Sequence, residues 1–479
     1  MTDLGLIRKG ELQETYSSPL IVKKSPILCI LFTVLHKKAD FCALQHIYCT
    51  KKILYLHQKK AETMRTIINN QRKERDELAS RHYLERHTKY NIDELLANHS
   101  IKLISGPRRV GKSTQAILML RGKNFAYLNF DDNDLLDKWD EELVMHTLDD
   151  VYPNYDYLLL DEVQNLPGWD IWVSKLFRRG KNLVITGSNA NMLSSEMASL
   201  LTGRYLPIEM LPFSMAEFFE WNGKEIKTDN ANDKEIIALT QDYLVEGGYP
   251  ETVSARNIAQ NYLSTLFDSI IWKDIVKRHR VRNVADLNNV AMYLLSNFCN
   301  TFTYNNVADD LGLTSVNTVK KYMDYLREPF LFYYLPRYNN KLKVMKRAAQ
   351  KIYVVDNGFV RAKAFNLSEN LGRLLENMVF VELLHQGYNT EQSLFYFRSV
   401  NDKEVDFVTR NGTQIECLIQ VCYDMTSAKT EKREVNSLIE CAKELKCGNL
   451  VIVTANEERV IQTPGYSINV VPITKFIQA

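Results

Sequence analysis

The segment GPRRVGKST at 106–114 constrains the fold more than any other part of this 479-residue chain. It has the spacing G-x-x-x-x-G-K-[ST], it follows the apolar run IKLIS at 101–105, and it precedes helix-compatible residues at 115–120. A strand, a glycine-rich turn and a helix in this order direct backbone N–H groups and a helix N-terminus toward one point, where phosphate groups bind. The segment therefore predicts a buried parallel strand that leads into a phosphate-binding loop.

The residue types in this loop predict the ligand. We expect Gly106 and Gly111 to allow close backbone approach, Lys112 to reach the β and γ phosphates, and Ser113 to offer its hydroxyl to magnesium. The predicted nucleotide-binding set is the whole loop: Gly106, Pro107, Arg108, Arg109, Val110, Gly111, Lys112, Ser113 and Thr114. The chain is therefore expected to bind ATP together with Mg²⁺.

An acidic pair ends a second apolar run, YLLL at 157–160. We expect Asp161 to hold magnesium with Ser113, and Glu162 to polarise the attacking water as the catalytic base. A helix-capping or surface role for Glu162 is the alternative. The two segments together predict an ATP-hydrolysing site.

Two further polar positions extend this predicted site. Ser188 and Asn189 follow the apolar run LVIT, where a strand tip could orient water or sense the γ phosphate, although a plain turn would also explain them. Arg204 could supply positive charge to the transition state, in the same chain or from a neighbouring subunit, with a structural salt bridge as the alternative. Asn189 and Arg204 therefore join Glu162 as candidate catalytic residues.

The pattern along the chain predicts an α/β protein with several domains. Apolar strands alternate with helical sequence up to about residue 213, which indicates a parallel sheet. Helical sequence continues to about residue 300, and NNVADDLGLTSVNTVKKYMDYLREPFLFYYLPRY then suggests a winged helix-turn-helix. A small α/β domain follows, with a helix and four strands predicted at Leu371–His385, Leu394–Phe397, Glu404–Thr409, Thr413–Val421 and Asn449–Val453.

Basic residues accumulate in the winged-helix region, although the net charge of the chain is only +2. A nucleic-acid partner would therefore have to be held by a local patch. The candidate patch consists of Lys320, Lys321, Arg327, Arg337, Lys341, Lys343, Lys346 and Arg347. DNA binding is one interpretation, and a solvated charged face is the other.

The first 63 residues have no convincing periodicity. Pro26–Leu35 is apolar but far shorter than the roughly 20 residues that a membrane-spanning helix needs. Our hypothesis is that Met64 opens the helical sequence and is the natural start of translation. No closely spaced cysteine pair predicts a zinc or redox site, so we expect reduced thiols, a cytoplasmic protein and no membrane partner.

In combination, GPRRVGKST, LLLDEVQN, ITGSN, LTGRY with LPFSMAEFFEW, and EGGYPE resemble an archaeal and bacterial family of AAA-type ATPases over residues 65 to 479. The resemblance implies an ASCE-type P-loop core, a winged helix and a restriction-endonuclease-like domain, with Asn189 as sensor 1 and Arg204 as an arginine finger. We therefore expect an ATPase core at 64–213, a helical lid at 214–300, a winged helix at 301–348 and a nuclease-like domain at 349–479, preceded by an N-terminal extension at 1–63 that lies outside the resemblance.

The nuclease-like domain is expected to be inactive. Nucleases of this type hold magnesium with carboxylates on adjacent strands and place a lysine beside the water. Asp406 and Glu376 could supply carboxylates, but Gln420 stands at the position of the second strand acid and Cys422 at that of the lysine, unless Glu416 substitutes. We therefore expect no cation beside this site and no cleavage of DNA.

Three functions remain open from the sequence. The first is an ATP-driven switch or motor that acts on nucleic acid or a protein. The others are an ATP-regulated metal-dependent nuclease and a signalling ATPase controlled by nucleotide-dependent assembly, including a homo-oligomer.

Overall fold

The computed structural model describes residues 38–190, 203–227, 234–363, 371–390 and 392–478. The described residues up to Asn69 form one compact unit with Lys138–Val151. Asn70–Asp137 and the described residues from Tyr152 onward form the second unit. The phosphate-binding loop and the C-terminal strands therefore lie in the same unit.

A long helix, α1 (Lys38–Ser80), passes through Met64 without a break. The prediction that helical sequence opens at Met64 is wrong for the described residues, because residues 38–63 are already helical. Translation from Met64 stays a hypothesis, and Pro26–Leu35 lies outside the described residues. Within the described ranges, no helix is both long enough and apolar enough to cross a membrane.

Five parallel strands form the first sheet, in the order β2-β3-β4-β1-β5. They are β1 (Ile101–Ser105), β2 (Phe125–Asn129), β3 (Tyr157–Asp161), β4 (Asn182–Gly187) and β5 (Tyr205–Glu209). All five residues of β1 are buried, as expected for a central parallel strand, and the buried set includes the polar residues Lys102 and Ser105. Because β3, β4 and β1 are neighbours, their carboxyl ends meet at one edge of the sheet.

Helices occur between these strands along the chain. They are α2 (Ile92–Ala97), α3 (Lys112–Met119), α4 (Asn133–Asp137), α5 (Glu141–Val151) and α6 (Trp169–Arg178). Among them, α3 begins directly after Gly111, whose φ of 93° turns the loop into the helix.

A helical region follows the first sheet. It contains α7 (Met215–Trp221), α8 (Lys234–Glu246), α9 (Pro250–Ser254), α10 (Ala259–Ile270), a π-helical segment (Ile271–Val276), α11 (Lys277–His279) and α12 (Val284–Ser296). The helix α7 begins with a capping box in which Ser214 and Glu217 satisfy each other's backbone N–H groups.

The region with the helix-turn-helix pattern contains a small antiparallel sheet in the order β6-β8-β7. Its elements are β6 (Thr301–Phe302), α13 (Tyr304–Asp310), α14 (Val316–Arg327), β7 (Phe332–Pro336), α15 (Leu342–Met345) and β8 (Gln350–Val354). The side chain of Ser315 caps α14 by accepting a hydrogen bond from the N–H of Thr318. The winged-helix assignment stays a prediction.

The C-terminal part is built on a six-stranded mixed sheet in the order β13-β14-β12-β11-β10-β9. Its elements are α16 (Asn357–Lys363), α17 (Leu371–His385), β9 (Leu394–Arg398), β10 (Glu404–Asn411), β11 (Gln414–Val421), α18 (Ala428–Leu445), β12 (Leu450–Thr454), β13 (Arg459–Thr463), β14 (Tyr466–Pro472) and α19 (Ile473–Phe476). The predicted α/β class is confirmed: a P-loop core with a parallel sheet, a helical region and a separate mixed-sheet domain.

Candidate active site

The loop between β1 and α3 approaches other backbone closely. Gly106 has a φ of 151°, and a Cβ at this position would lie 1.9 Å from the carbonyl oxygen of Met210. The N–H of Met210 also donates to the carbonyl of Ser105 at 2.7 Å. Gly106 is therefore required where β1 leaves the sheet, because any side chain would collide with the segment after β5.

Lys112 is buried at the start of α3. Its ammonium donates to the carbonyl oxygen of Pro107 at 2.8 Å and lies 3.5 Å from a carboxylate oxygen of Glu162. The ammonium group therefore lies between the loop backbone and the acidic pair that was predicted for this site.

Ser113 and Asp161 form the second contact of the site. The Ser113 hydroxyl donates to Asp161 Oδ1 at 2.8 Å, and the hydroxyls of Tyr127 and Thr186 also donate to this carboxylate. Burial raises the pKa of Asp161 to about 6, with the neighbouring Glu162 adding to the effect and these hydrogen bonds opposing it. A serine hydroxyl and a buried carboxylate in contact are oxygen ligands of the kind that Mg²⁺ prefers, so Ser113 and Asp161 fit the predicted metal role.

Glu162 follows β3 in a left-handed conformation, with a φ of 50°. Its N–H donates to Thr186 Oγ1 at 2.9 Å, and its Oε2 accepts hydrogen bonds from Ser188 at 3.0 Å and Gln164 at 2.5 Å. Burial alone would raise the pKa of Glu162, but Lys112 and these donors outweigh burial and lower it. The carboxylate is therefore held as the anion, the form that accepts a proton.

The sequence predicted a role for Ser188 but not for Gln164. The side-chain amide of Gln164 donates to Glu162 Oε2 and, at 3.2 Å, to the hydroxyl oxygen of Ser188. A glutamine two residues after an acidic pair gives no signal by itself, because its partner on β4 is brought near only by the fold.

Arg108 was predicted as part of the nucleotide loop, but its side chain turns to the helical region. The guanidinium forms two hydrogen bonds to the carboxylate of Asp274, at 3.0 and 3.1 Å, and lies 3.5 Å from Asp131. Asp274 is buried in the π-helical segment, where π-bulges often mark functional positions. The loop is thus tied to a helix 166 residues later in the chain, a contact that the sequence did not reveal.

The remaining loop residues have mixed surroundings. Val110 is buried, and its carbonyl accepts a hydrogen bond from Arg86 at 2.9 Å. Arg109 has a φ of 69°, and Thr114 lies in the first turn of α3. Their proposed contacts with nucleotide stay predictions.

Asn189 is the second residue after β4, at the sheet edge where β1 and β3 also end. The next residue, Ala190, donates its N–H to the carbonyl of Glu328 at 2.7 Å. The predicted sensor position is therefore connected to the segment that follows α14.

Arg204 lies at the other end of the sheet. The N–H of Ile101 donates to the carbonyl of Arg204 at 2.8 Å, so this arginine stands beside the first residue of β1, whereas the loop follows the last. The length of β1 separates them by roughly 16 Å. The guanidinium lies over the ring of Phe177. The fold does not bring Arg204 to the nucleotide loop of its own chain, so a role in the same chain is wrong and only the role from a neighbouring subunit stays a prediction.

The predicted nuclease-like residues do meet, but around an unexpected cation. Phe407 pairs with Ile419, so Asp406 on β10 lies across from Gln420 on β11. The ammonium of Lys351, on β8, lies 2.9 Å from Asp406 and 3.0 Å from Glu376. The expectation that no cation stands beside these carboxylates is wrong. A lysine inside the apolar strand QKIYV was the available signal, because a buried charge requires a partner.

The substitutes considered for this site lie in different surroundings. Glu416 is exposed and accepts a hydrogen bond from the Tyr388 hydroxyl at 2.8 Å. Cys422 is buried, and burial raises the pKa of its thiol to about 11. Neither residue contributes a charge to the cluster around Lys351.

The predicted basic patch is divided by the fold. Three of its residues are exposed on α14: Lys320, Lys321 and Arg327. The four basic residues from Lys341 to Arg347 are also exposed, but they lie in the segment between β7 and β8. Arg337 does not belong to this surface, because it is half-buried and donates to the carbonyl of Arg398 at 2.6 Å.

Sequence comparisons cover most of the chain. Residues 98–219 match the AAA domain family, and residues 237–370 and 371–476 match two domains of unknown function, DUF8612 and DUF4143. The chain is 32% identical over 407 residues to "Uncharacterized protein MJ1544" of Methanocaldococcus jannaschii, covering 81% of this chain and 90% of that protein. It is 32% identical over 344 residues to an uncharacterized protein of Haemophilus influenzae, covering 68% of this chain and 83% of that protein.

Solved structures with partial similarity include the Walker-type ATPase Paby2304 of Pyrococcus abyssi, with a TM-score of 0.38, 13% identity, and coverage of 60% of this chain and 99% of that chain. The RuvB Holliday junction branch migration motor of Thermotoga maritima has a TM-score of 0.28, 15% identity, and coverage of 54% and 94%. The sequence matches carry the assignment: this chain belongs to the AAA-type P-loop ATPase family that includes the M. jannaschii and H. influenzae proteins.

Proposed function

We propose that this protein hydrolyses ATP with magnesium and that its nucleotide state controls a switch acting on a partner. The observation that carries this proposal is the meeting of two pairs at one sheet edge. Ser113 contacts Asp161 at 2.8 Å, and Lys112 lies 3.5 Å from Glu162. A hydroxyl, two carboxylates and an ammonium are the groups that phosphoryl transfer to water requires.

Each group has a separate task in this proposal. Ser113 and Asp161 would hold Mg²⁺, which offsets negative charge on the phosphates when it is bound. Lys112 binds phosphate oxygens and positions the nucleotide. Glu162, kept anionic by Lys112 and by donors from Ser188 and Gln164, accepts the proton of the attacking water.

The switch is supported by a chain of contacts that begins at β4. The N–H of Ala190 donates to the carbonyl of Glu328, and the side chain of Glu328 lies 2.7 Å from the ring nitrogen of His279. The His279 ring stacks on Tyr325 of α14 with centroids 3.7 Å apart. A change at the tip of β4 would therefore reach the helix-turn-helix region through direct contacts.

Two variants test the nucleotide site. Lys112→Ala should weaken ATP binding by about 100-fold or more, because it removes the charge aimed at the phosphates. Glu162→Gln should still bind ATP but should lose about 100- to 10,000-fold in turnover, because it removes only the proton acceptor. Equilibrium binding of a fluorescent ATP analogue and single-turnover hydrolysis separate the two effects. Loss of binding in Glu162→Gln, or normal turnover in folded Lys112→Ala, would refute the assignment.

We favour nucleic acid as the partner because of the segment between β7 and β8. It exposes four cations within seven residues, and Leu342 and Val344 are exposed among them. Such a cluster fits a phosphate backbone. The four are Lys341, Lys343, Lys346 and Arg347.

Replacing these four residues by alanine should weaken binding to labelled duplex DNA and reduce the slope of log affinity against log salt by up to about 3 to 4. The matched control removes the same charge from exposed positions on and just after α18: Lys429, Lys432, Lys443 and Lys446. Equal losses in the two variants would indicate a net-charge effect and would contradict a specific interface. Stimulation of ATP hydrolysis by DNA in the wild type, lost only in the first variant, would link the interface to the switch.

A further inference from the structure

A buried ammonium lies at the centre of the carboxylate cluster in the C-terminal part. Lys351 Nζ lies 3.0 Å from Glu376 Oε1, 2.9 Å from Glu404 Oε1 and 2.9 Å from Asp406 Oδ1. The lysine side chain is only 3% exposed. An ammonium has three N–H donors, so three carboxylates use all of them and leave none for water or a phosphate group.

The cluster joins elements that are far apart in the sequence. Lys351 comes from β8 of the small antiparallel sheet, Glu376 from α17, and the other two carboxylates from β10. Glu404 and Asp406 are two residues apart on one strand and therefore point to the same side of the sheet. The lysine thus connects the small sheet to both the helix and the larger sheet.

Other protein groups also contact the carboxylates of the cluster. The Tyr353 hydroxyl donates to Glu376 Oε1, the oxygen that also accepts from Lys351, at 2.7 Å, and the N–H of Val421 donates to Asp406 Oδ2 at 2.9 Å. Arg398 lies 3.3 Å from Glu404 Oε2. Burial and the neighbouring Asp406 raise the pKa of Glu376 to about 7, while Lys351 and the Tyr353 hydroxyl oppose the shift.

This arrangement differs from the metal site that a restriction-endonuclease-like fold implies. Such a site places a divalent cation between the carboxylates, but here the shared position belongs to Lys351 Nζ. Within the described ranges, no group of three or more His, Cys, Asp or Glu side chains is arranged to hold a metal ion. The residues present therefore do not fit a divalent metal while the lysine is in place.

We propose that Lys351 is the resident cation of this cluster, that it takes the position of a divalent metal, and that its function is to fasten β8 to α17 and β10. The C-terminal part is then a metal-independent coupling element rather than a nuclease. This inference is separate from ATP hydrolysis, since neither Lys351 nor its partners contact the nucleotide loop.

The cluster would become a metal site without the lysine. Three carboxylates would surround the vacated position, and the Oε1 atom of Gln420, which is buried across from Asp406, has no hydrogen-bond partner. These are oxygen ligands of the type that Mn²⁺ and Mg²⁺ accept. Lys351→Ala therefore exchanges an internal cation for an external one.

The test is a Mn²⁺ titration of nucleotide-free, full-length protein, followed through the electron paramagnetic resonance signal of free Mn²⁺. Lys351→Ala should bind one more Mn²⁺ per chain than the wild type, and the wild type should have no Mn²⁺ site that depends on Asp406. The double variant Lys351→Ala, Asp406→Asn should lose that ion. Mn²⁺ should also raise the melting temperature of Lys351→Ala but not that of the double variant.

Two results would overturn the proposal: a wild-type Mn²⁺ site that disappears in Asp406→Asn, or a folded Lys351→Ala protein that gains no ion. If Lys351→Ala does not fold, the comparison of wild type with Asp406→Asn still decides. Identical Mn²⁺ binding by those two proteins supports the internal ammonium, and a stoichiometric ion in the wild type alone refutes it.

Discussion

Glu382 is a buried carboxyl group that links α17 to the start of α7. Its Oε1 accepts hydrogen bonds from the N–H of Met215 at 2.8 Å and the hydroxyl of Tyr243 at 3.1 Å. Burial raises the pKa of Glu382 to about 7, although these two donors oppose the shift. The folded protein therefore binds a proton here that the unfolded chain releases near its ordinary pKa of about 4.5.

This difference predicts a stability that falls with pH. The contribution of Glu382 is fully present below about pH 4.5 and is lost as the pH rises through about 7, by an amount on the order of 3 kcal/mol. Glu382→Gln keeps a neutral acceptor and should remove that loss, so its melting temperature relative to the wild type should increase from pH 5 to pH 8.5. The exposed Glu225→Gln serves as the control. A difference that stays constant with pH would contradict the prediction.

The predicted site residues that the fold brings together are those that local spacing identifies. Lys112 and Ser113 belong to one loop, and Asp161 ends a recognisable apolar strand, so few assumptions were needed to bring them together. Asp274 and Lys351 are different, because each has its partners in elements far along the chain. A charged residue in an apolar segment indicates that a partner of opposite charge is needed, but only the tertiary fold identifies that partner.

The turn from β1 into the nucleotide loop depends on Gly106. Gly106→Ala should abolish ATP binding and lower the melting temperature substantially, because the new methyl group would lie 1.9 Å from the Met210 carbonyl oxygen and force backbone apart. Gly122→Ala is the matched control, since Gly122 also has a positive φ, of 79°, but a Cβ there meets nothing within 4 Å. That variant should lose only about 1 to 2 kcal/mol. If Gly106→Ala and Gly122→Ala changed the melting temperature and the ATP affinity equally, backbone strain rather than the collision would dominate.

The strands that the sequence predicted and those that it missed differ in burial. Strand β1 is buried throughout, and β10 and β11 contain long buried runs, so apolar patterns revealed them. The hairpin of β13 and β14 lies at the sheet edge, and no residue of β13 is fully buried. An edge strand needs few apolar residues, which leaves little periodicity to detect.

The position of Arg204 predicts that ATP hydrolysis depends on the assembly of several subunits. Because the fold keeps Arg204 away from the loop of its own chain, a catalytic role for it would require the site of another subunit. Arg204→Ala should bind ATP normally, but its rate of ATP hydrolysis should fall by about 1,000-fold or more. Arg179→Ala, at an exposed position near the same end of the sheet, should remain active.

A mixing experiment tests the same point. Lys112→Ala lacks nucleotide binding but retains Arg204, so an equimolar mixture with Arg204→Ala should regain turnover at roughly a quarter of the interfaces if subunits pair at random. Hydrolysis rate against protein concentration, with mass photometry alongside, measures the assembly. Full activity of Arg204→Ala alone, or a mixture no more active than its parts, would exclude a shared site.

Arg86 lies outside the segment that matches the AAA domain but contacts several residues within that segment. This guanidinium donates to the carbonyls of Val110 and Leu211 and forms a buried ion pair with Glu217 at 2.9 Å. A fragment limited to residues 98–219 would retain the buried carboxylate of Glu217 and lose the cation that compensates it. Glu382 would be lost from the N-terminus of α7 in the same fragment. Recombination at the boundaries of residues 98–219 would therefore leave an incompletely neutralised core, so Arg86 and Glu382 are expected to be inherited together with the matched segment rather than exchanged between genes.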